Sequence, residues 1–373
     1  MNETHRTPLG GLTDEGVAIW LDDLGRNRLQ SGDLANLVAD QHVVGVTTNP
    51  SIFAAAVGTG GDYTEQIETL ARQGASLDEV VQAVTTDDVR AACDVFEGVY
   101  RATSLIDGRV SLEVDPRLAG DTDATVQEAS VLWDRVDRPN LMIKIPGTAA
   151  GLPAITATLA AGISVNVTLI FGLPRYEEVT DAWMLGLEQA SDRGHDLASI
   201  GSVASFFISR FDTAVDRRLD ALSDPLAQAL RGRTAIANAR LAYAHFEQVL
   251  ASDRWQRLAA KGAQPQRPLW ASTSTKDPTF EDTRYVVELV APKTVNTMPP
   301  ATLAALQDHG EITGRTIHED TTGERAVIDA LGDLGIDYQE IVDQLEREGV
   351  ASFEKSWQQL RDSIQQAMDR VRQ

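Results

Sequence analysis

Eight short apolar runs recur along the chain, and longer stretches with helical periodicity lie between most of them. The runs are VAIWLDD (17–23), VVGVTTNP (43–50), RVSLEVD (109–115), LMIKIPG (141–147), GISVNVTLIF (162–171), IGSVASFFIS (200–209), PLWASTSTK (268–276) and PKTVNTMP (292–299). Between them, SGDLANLVADQ and TDDVRAACDVFEGVYRATS read as helices, TEQIETLARQ does so more weakly, and TDATVQEASVLWDRV follows the third run. Strand and helix alternating in this way predict parallel β/α architecture. Eight units in 373 residues favour a (β/α)8 barrel, taken as one domain over residues 1–373. An open doubly wound sheet would more often carry a Gly-rich phosphate loop after its first strand, where this chain reads LDDLGRN.

Two segments exceed the repeat. Residues 211–267 hold two or three helical patterns, including GRTAIANARLAYAHFEQVLA, and read as helices decorating the barrel wall. After the eighth run come ATLAALQDHG, a polar stretch, and VASFEKSWQQLRDSIQQAMDR. There Phe353, Trp357, Leu360 and Ile364 fall on one helix face, which should dock onto the body and could cover a barrel mouth.

The polar residues near the C-terminal ends of the runs carry the candidate chemistry: Asp22, Thr47, Asn49, Glu113, Lys144, Asn166, Thr168, Ser205, Ser272 and Asn296. In a β/α barrel that end is where sites are built. Strand periodicity puts Thr47 with Asn49, Ser111 with Glu113 and Asp115, and Asn166 with Thr168. If these faces point inward, one Lys, two or three carboxylates and several amides and hydroxyls converge. Each residue alone has an ordinary reading. Lys144 could snorkel to a rim, one Asp of LDDLGR could cap the next helix, Asn49 could serve the turn at Pro50, and Ser205 and Ser272 could be core hydroxyls. Their coincidence across the runs is what points to a site.

Lys144 in LMIKIPGT is the sharpest signal. An ammonium in a buried strand is costly unless it is paired or loses its proton. A desolvated neutral amine is a nucleophile that forms a Schiff base with a carbonyl substrate, and nearby carboxylates are needed to move the protons. Asn and Ser groups suit a polyhydroxylated ligand. Arg210 in SFFISRF and Lys276 in STSTKDP are at hand for an anionic tail.

Charge narrows the partners. Lys plus Arg total 33 against 55 Asp plus Glu, a net charge of −22, so neither nucleic acid nor an anionic membrane is an expected partner. The single Cys93 reads as a small buried hydrophobe and excludes an intrachain disulfide framework. The six His are scattered, with no H-x-x-x-H pair, so no His-based metal site is expected. GTGGDY (58–63) reads as a loop, and no G-x-S-x-G elbow occurs. The opening MNETHRTPLGGLTDEG has no secretory pattern and no run is long enough to span a bilayer, so a cytoplasmic location is expected.

These residues together resemble the transaldolases, strand by strand over most of the chain. GVTTNPSIF looks like that family's T-T-N-P-S signature, LMIKIPGT its Schiff-base lysine strand, and SLEVDPRLA, ISVNVTLIF and SVASFFISRFD its third, fifth and sixth strands. The insertion before strand seven, LWASTSTKDP and KTVNTMP look like the monofunctional actinobacterial type. The resemblance implies that Lys144 forms the Schiff base, that Asp22 is the general acid/base, and that Glu113 works through a water held by Thr168. It implies that Asn49 and Asn166 bind the dihydroxyacetone part and that Ser205 and Arg210 contact phosphate. Thr47, Phe207, Ser272 and Lys276 complete the expected substrate-binding set. One departure is that relatives carry an Arg soon after the strand-seven Ser, where this chain reads ASTSTK. The implied reaction moves a dihydroxyacetone unit from sedoheptulose 7-phosphate to glyceraldehyde 3-phosphate, without metal or organic cofactor, in a monomer or homodimer. The rivals are a fructose-6-phosphate aldolase, a sugar-phosphate-binding protein that has lost catalysis, and a metal-dependent barrel lyase. Glu113 rather than an amide, and Phe207 rather than Tyr, follow the transferase pattern.

Overall fold

The computed structural model describes residues 7–59, 61–318 and 320–371. Each apolar run contains one strand. These are β1 (Val17–Leu21), β2 (Val43–Val46), β3 (Arg109–Glu113), β4 (Leu141–Pro146), β5 (Val165–Ile170), β6 (Ser202–Phe207), β7 (Arg267–Ala271) and β8 (Thr294–Met298). All pair in parallel with their sequence neighbours, and β8 pairs with β1 to close the barrel. Helices pack outside, so the strands are buried on both faces, which is why they read as continuous apolar runs rather than alternating ones.

Helix boundaries follow local signals. Thr122–Val136 starts at an Asp121 cap. Leu77–Ala102 begins before its most periodic stretch, because Ser76 and Glu79 form a reciprocal capping box. The insertion between β6 and β7 holds four helices, one more than the longest expectation: Ser209–Leu219, Pro225–Leu230, Thr234–Ala251 and Asp253–Ala259. The polar stretch after the Pro300–His309 helix contains another, Thr322–Asp333, of which only Val327, Ile328 and Leu331 are buried. That apolar stripe is too thin to stand out in the sequence.

The barrel interior is a packed core with a polar top. Trp20 on β1 points inward opposite Gly45 on β2, its register partner. A β-carbon at residue 45 would lie 2.5 Å from Trp20 Cε2, so only glycine leaves room for the indole. Gly45→Ala is therefore expected to cost about 1–3 kcal/mol through overpacking. The check is the urea midpoint, and an unchanged midpoint would contradict this packing. At the opposite, N-terminal end, Arg109 is fully buried and donates to Leu105 O (2.7 Å), Pro139 O (3.2 Å) and Ser164 Oγ (3.1 Å). Its guanidinium fills the floor of the barrel.

The terminal helix Tyr338–Val371 docks as its apolar stripe predicts. Phe353, Trp357, Leu360 and Ile364 are all buried, joined by Met368. Gly349 lets this helix descend on the end of β5, where a β-carbon would meet Leu169 Cδ2 at 3.0 Å. Between helix and barrel, Phe353 comes to lie over the mouth. No helix among the described residues is long and apolar enough to cross a membrane.

Candidate active site

Glu113, Lys144 and Asn166 are register partners on β3, β4 and β5, side by side at the C-terminal end of the barrel. Lys144 is only 4% exposed. Its Nζ donates to Thr48 O at 2.9 Å and lies 3.2 Å from Glu113 Oε1. The buried ammonium is thus compensated by one carboxylate and one carbonyl. Removing either partner would leave the other charge uncompensated in an apolar surround. The Phe353 ring centroid is 5.8 Å from Nζ on the mouth side.

Glu113 is itself buried, and neither of its oxygens has a partner in hydrogen-bond geometry among the described residues. Burial pushes its carboxyl up to about 7, with Lys144 pulling the other way. Thr168 Oγ1, inward on β5 two strands away, is also buried without a partner among the described residues. Directly after Thr168 the strand breaks register, and Leu169 takes φ +61°, a left-handed conformation costing about 1–3 kcal/mol in a non-glycine residue. Ser272, just after β7, does the same at φ +56°.

Asp22 follows β1, held by its own N–H to Met298 O at 2.8 Å. It accepts from Thr47 Oγ1 at 2.7 Å, and Thr47 in turn lies 2.6 Å from Thr297 Oγ1. Burial raises the Asp22 carboxyl above its ordinary range, against the opposing influence of Lys144 and Thr47. On the other side, Asn166 Nδ2 donates to Ser111 Oγ at 3.0 Å, and Asn166 Oδ1 accepts from Ser205 Oγ at 2.7 Å. These bonds fix the orientation of the amide. Ser205 is 1% exposed, so its hydroxyl orients Asn166 rather than lying open at the surface.

A cleft of about 370 Å³ adjoins the mouth, between the Ser209–Leu219 helix, the loop after β7 and the terminal helix. Arg210, Arg217, Arg218 and Lys276 line it, with Glu348 as the acidic member. Arg210 lies over the Phe207 ring at 5.1 Å, and Phe207 packs on Phe171 at 5.1 Å. Lys276 Nζ donates to Ser274 Oγ at 2.8 Å, and Ser272 Oγ lies 2.9 Å from Ser209 Oγ. Arg218 donates to Ala214 O (3.0 Å) and Gln344 Oε1 (2.6 Å). Among the described residues none of the four cations is in an ion pair, in a chain of net charge −22, so the cleft is a local anion-attracting patch. A larger cleft of about 740 Å³, lined in part by Leu173, Ile328 and Tyr338, lies outside the barrel wall. Its Tyr338 hydroxyl is already bonded to Leu173 N and Asn238 Oδ1.

Several expected placements differ. Asp115 does not face the pocket with Glu113: β3 ends at Glu113, and Asp115 caps Pro116–Leu118 and binds Arg117. Asn296 points outward, donating to Tyr285 O at 3.2 Å, and its neighbour Thr297 takes the inward position. Neither Asp of LDDLGR caps the following helix; Gly25 stands at that cap without a side-chain bond, and Asp23 pairs with Arg28. Asn49 uses its amide oxygen to accept from Ser51 N (3.0 Å) and Ile52 N (3.2 Å), so only its NH2 end is left for a ligand. The sequence reading missed Thr48, whose carbonyl holds Lys144, and the closeness of Phe353.

The raised carboxyls have a consequence for stability. Glu113 and Glu128 are both pushed up to about 7 and Asp216 to about 6, in each case by burial first. In the folded protein these groups hold protons that the unfolded chain releases at lower pH. Their contribution is full below the ordinary carboxylate range and is lost as pH rises through 6 to 7. The thermal midpoint is expected to be higher at pH 5.5 than at pH 8. A higher midpoint at pH 8 would contradict the burial of these carboxyls.

Among the described residues no group of three or more His, Cys, Asp or Glu side chains is placed to hold a metal ion. Residues 19–364 match the sequence model of the Transaldolase/Fructose-6-phosphate aldolase family. The chain is 56% identical to a protein of Saccharopolyspora erythraea named Transaldolase, covering 99% of this chain and 100% of that one. It is 58% identical to the Transaldolase of Thermobifida fusca, over 97% of this chain and 98% of that one. A Streptomyces coelicolor protein named Transaldolase 1 is 58% identical over 96% of this chain and 94% of its own length. A closed eight-stranded barrel with Lys144 inside its fourth strand, matched by family and by relatives along nearly its whole length, places the chain in the transaldolase/fructose-6-phosphate aldolase family.

Proposed function

We propose that the chain is a transaldolase, moving a dihydroxyacetone unit from sedoheptulose 7-phosphate to glyceraldehyde 3-phosphate through a Schiff base on Lys144. The observation that carries the reading is the buried Lys144–Glu113 pair, with Nζ 3.2 Å from the carboxylate. Glu113, with a carboxyl pushed up to about 7 by burial, can both hold and release a proton near neutral pH beside Nζ. The free amine then attacks the keto carbon. Glu113, acting through a water shared with Thr168, protonates the departing hydroxyl and leaves a protonated imine.

Asp22 next takes the proton of the C4 hydroxyl. The C3–C4 bonding pair moves into the imine, an aldose phosphate departs, and a three-carbon enamine stays on Lys144. The imine is the electron sink, so the step needs no cofactor. The enamine carbon attacks the aldehyde of glyceraldehyde 3-phosphate, Asp22 returns its proton to the new hydroxyl, and hydrolysis releases fructose 6-phosphate. A carboxyl raised by burial suits Asp22 to both taking and returning that proton. Asn166 and the NH2 end of Asn49 are assigned to the dihydroxyacetone hydroxyls, with Thr47 and Ser205 holding Asp22 and Asn166 in place. Arg210, Ser272 and Lys276 are assigned to the phosphate. A Lys offers a point charge where Arg would offer a bidentate fork, so this phosphate site relies on Arg210 for geometry.

The test supplies fructose 6-phosphate with and without erythrose 4-phosphate. A transaldolase forms sedoheptulose 7-phosphate with the acceptor and little free dihydroxyacetone without it. Abundant dihydroxyacetone in the absence of acceptor would instead make the chain a fructose-6-phosphate aldolase.

A further inference from the structure

A transferase that keeps a three-carbon enamine must hold it until an aldehyde arrives. In water the enamine carbon takes a proton from a water molecule, and the hydroxide formed adds to the imine carbon. The carbinolamine then collapses to dihydroxyacetone and free Lys144 amine, so one water is consumed and the transfer is lost. Whatever covers the amine on the solvent side therefore decides between transfer and release.

The residue in that position comes from the far end of the chain. Phe353 lies on the terminal helix, with its ring centroid 5.8 Å from Lys144 Nζ. Phe353 is 6% exposed and Lys144 4% exposed, so little solvent reaches either. The helix is set at this depth by Gly349, one turn earlier, resting on Leu169 beside the register break of β5. It is anchored on the other side by buried Trp357, Leu360, Ile364 and Met368, which form no part of the catalytic pocket. The ring is thus held over the amine by packing remote from the chemistry. Its face also suits a cation, and the protonated imine is one.

Resting on the transaldolase reading, we infer that Phe353 is a specificity-determining residue: it shields the Lys144 enamine from water and so sets the ratio of transfer to dihydroxyacetone release. Phe353→Ala opens the cover. Phe353→Gln keeps much of the side-chain volume but brings in a polar group that holds water, and it carries the test if the Ala variant does not fold. Phe353→Leu keeps an apolar cover.

Each variant is given fructose 6-phosphate, with and without erythrose 4-phosphate, and free dihydroxyacetone and sedoheptulose 7-phosphate are measured together. The ratio of release to transfer should rise on the order of tenfold in the Ala and Gln variants and stay within about twofold of wild type in the Leu variant. An unchanged ratio in Ala and Gln, even with slower turnover, overturns the role of Phe353. The same samples are reduced with borohydride. A Lys144 adduct with an unchanged ratio sinks this inference alone, whereas no adduct in the wild type sinks the Schiff-base reading and this inference with it.

Discussion

Lys144→Ala should lose turnover by a factor on the order of 10⁴ or more, because no other group can form the imine that accepts the electrons of the breaking bond. The substitution also removes the charge beside Glu113, and breaking a buried pair in this way costs about 3–5 kcal/mol. A companion variant separates chemistry from folding. Lys144→Arg keeps a cation near Glu113, but a guanidinium stays protonated in proteins and forms no Schiff base. Both variants should be inactive and untrappable by borohydride, while a ketose phosphate still binds through Arg210 and its neighbours. The measurement is turnover beside binding by calorimetry. Activity within tenfold of wild type in either variant would show that Lys144 is not the nucleophile.

Asp22→Asn should slow turnover by about 10²–10⁴-fold, the usual worth of a positioned acid/base. Its effect is placed differently in the reaction. Thr47 Oγ1 donates to Asp22 Oδ1 at 2.7 Å, and an amide oxygen accepts the same bond, so the pocket keeps its shape. Imine formation depends on Lys144 and Glu113 and should survive. Cleavage of the C3–C4 bond, which needs the hydroxyl proton removed, should stall. Borohydride reduction of the variant with fructose 6-phosphate should therefore trap a six-carbon adduct where the wild type yields a three-carbon one. A three-carbon adduct forming at the wild-type rate would remove Asp22 from the cleavage step.

The barrel was legible because both faces of its strands are buried, so eight apolar runs stand out between helices. Lys144 was legible for the same reason, since a charge inside such a run needs an explanation. Side-chain direction was legible only within a regular strand. Period two grouped Ser111 with Glu113 and Asn166 with Thr168 within their strands, and the cross-strand register then sets Glu113, Lys144 and Asn166 side by side. Period two misled at Asp115, where β3 has already ended and the carboxylate serves a turn. In β8, Asn296 and Thr297 are both polar, and the sequence does not say which faces inward; the structure gives that place to Thr297.

Two contacts at Lys144 left no local trace. Thr48 holds the ammonium with its backbone carbonyl, which every residue type possesses. Phe353 was visible as part of a docking stripe, but its place over Lys144 depends on how deeply the helix settles, which Gly349 and Leu169 decide.

The most direct test of the account is the intact mass of the wild-type protein after borohydride reduction with fructose 6-phosphate, followed by mapping of the modified peptide. One stable three-carbon addition, located on Lys144, is the expected result. No addition despite measurable binding, or an addition on another lysine, would contradict it.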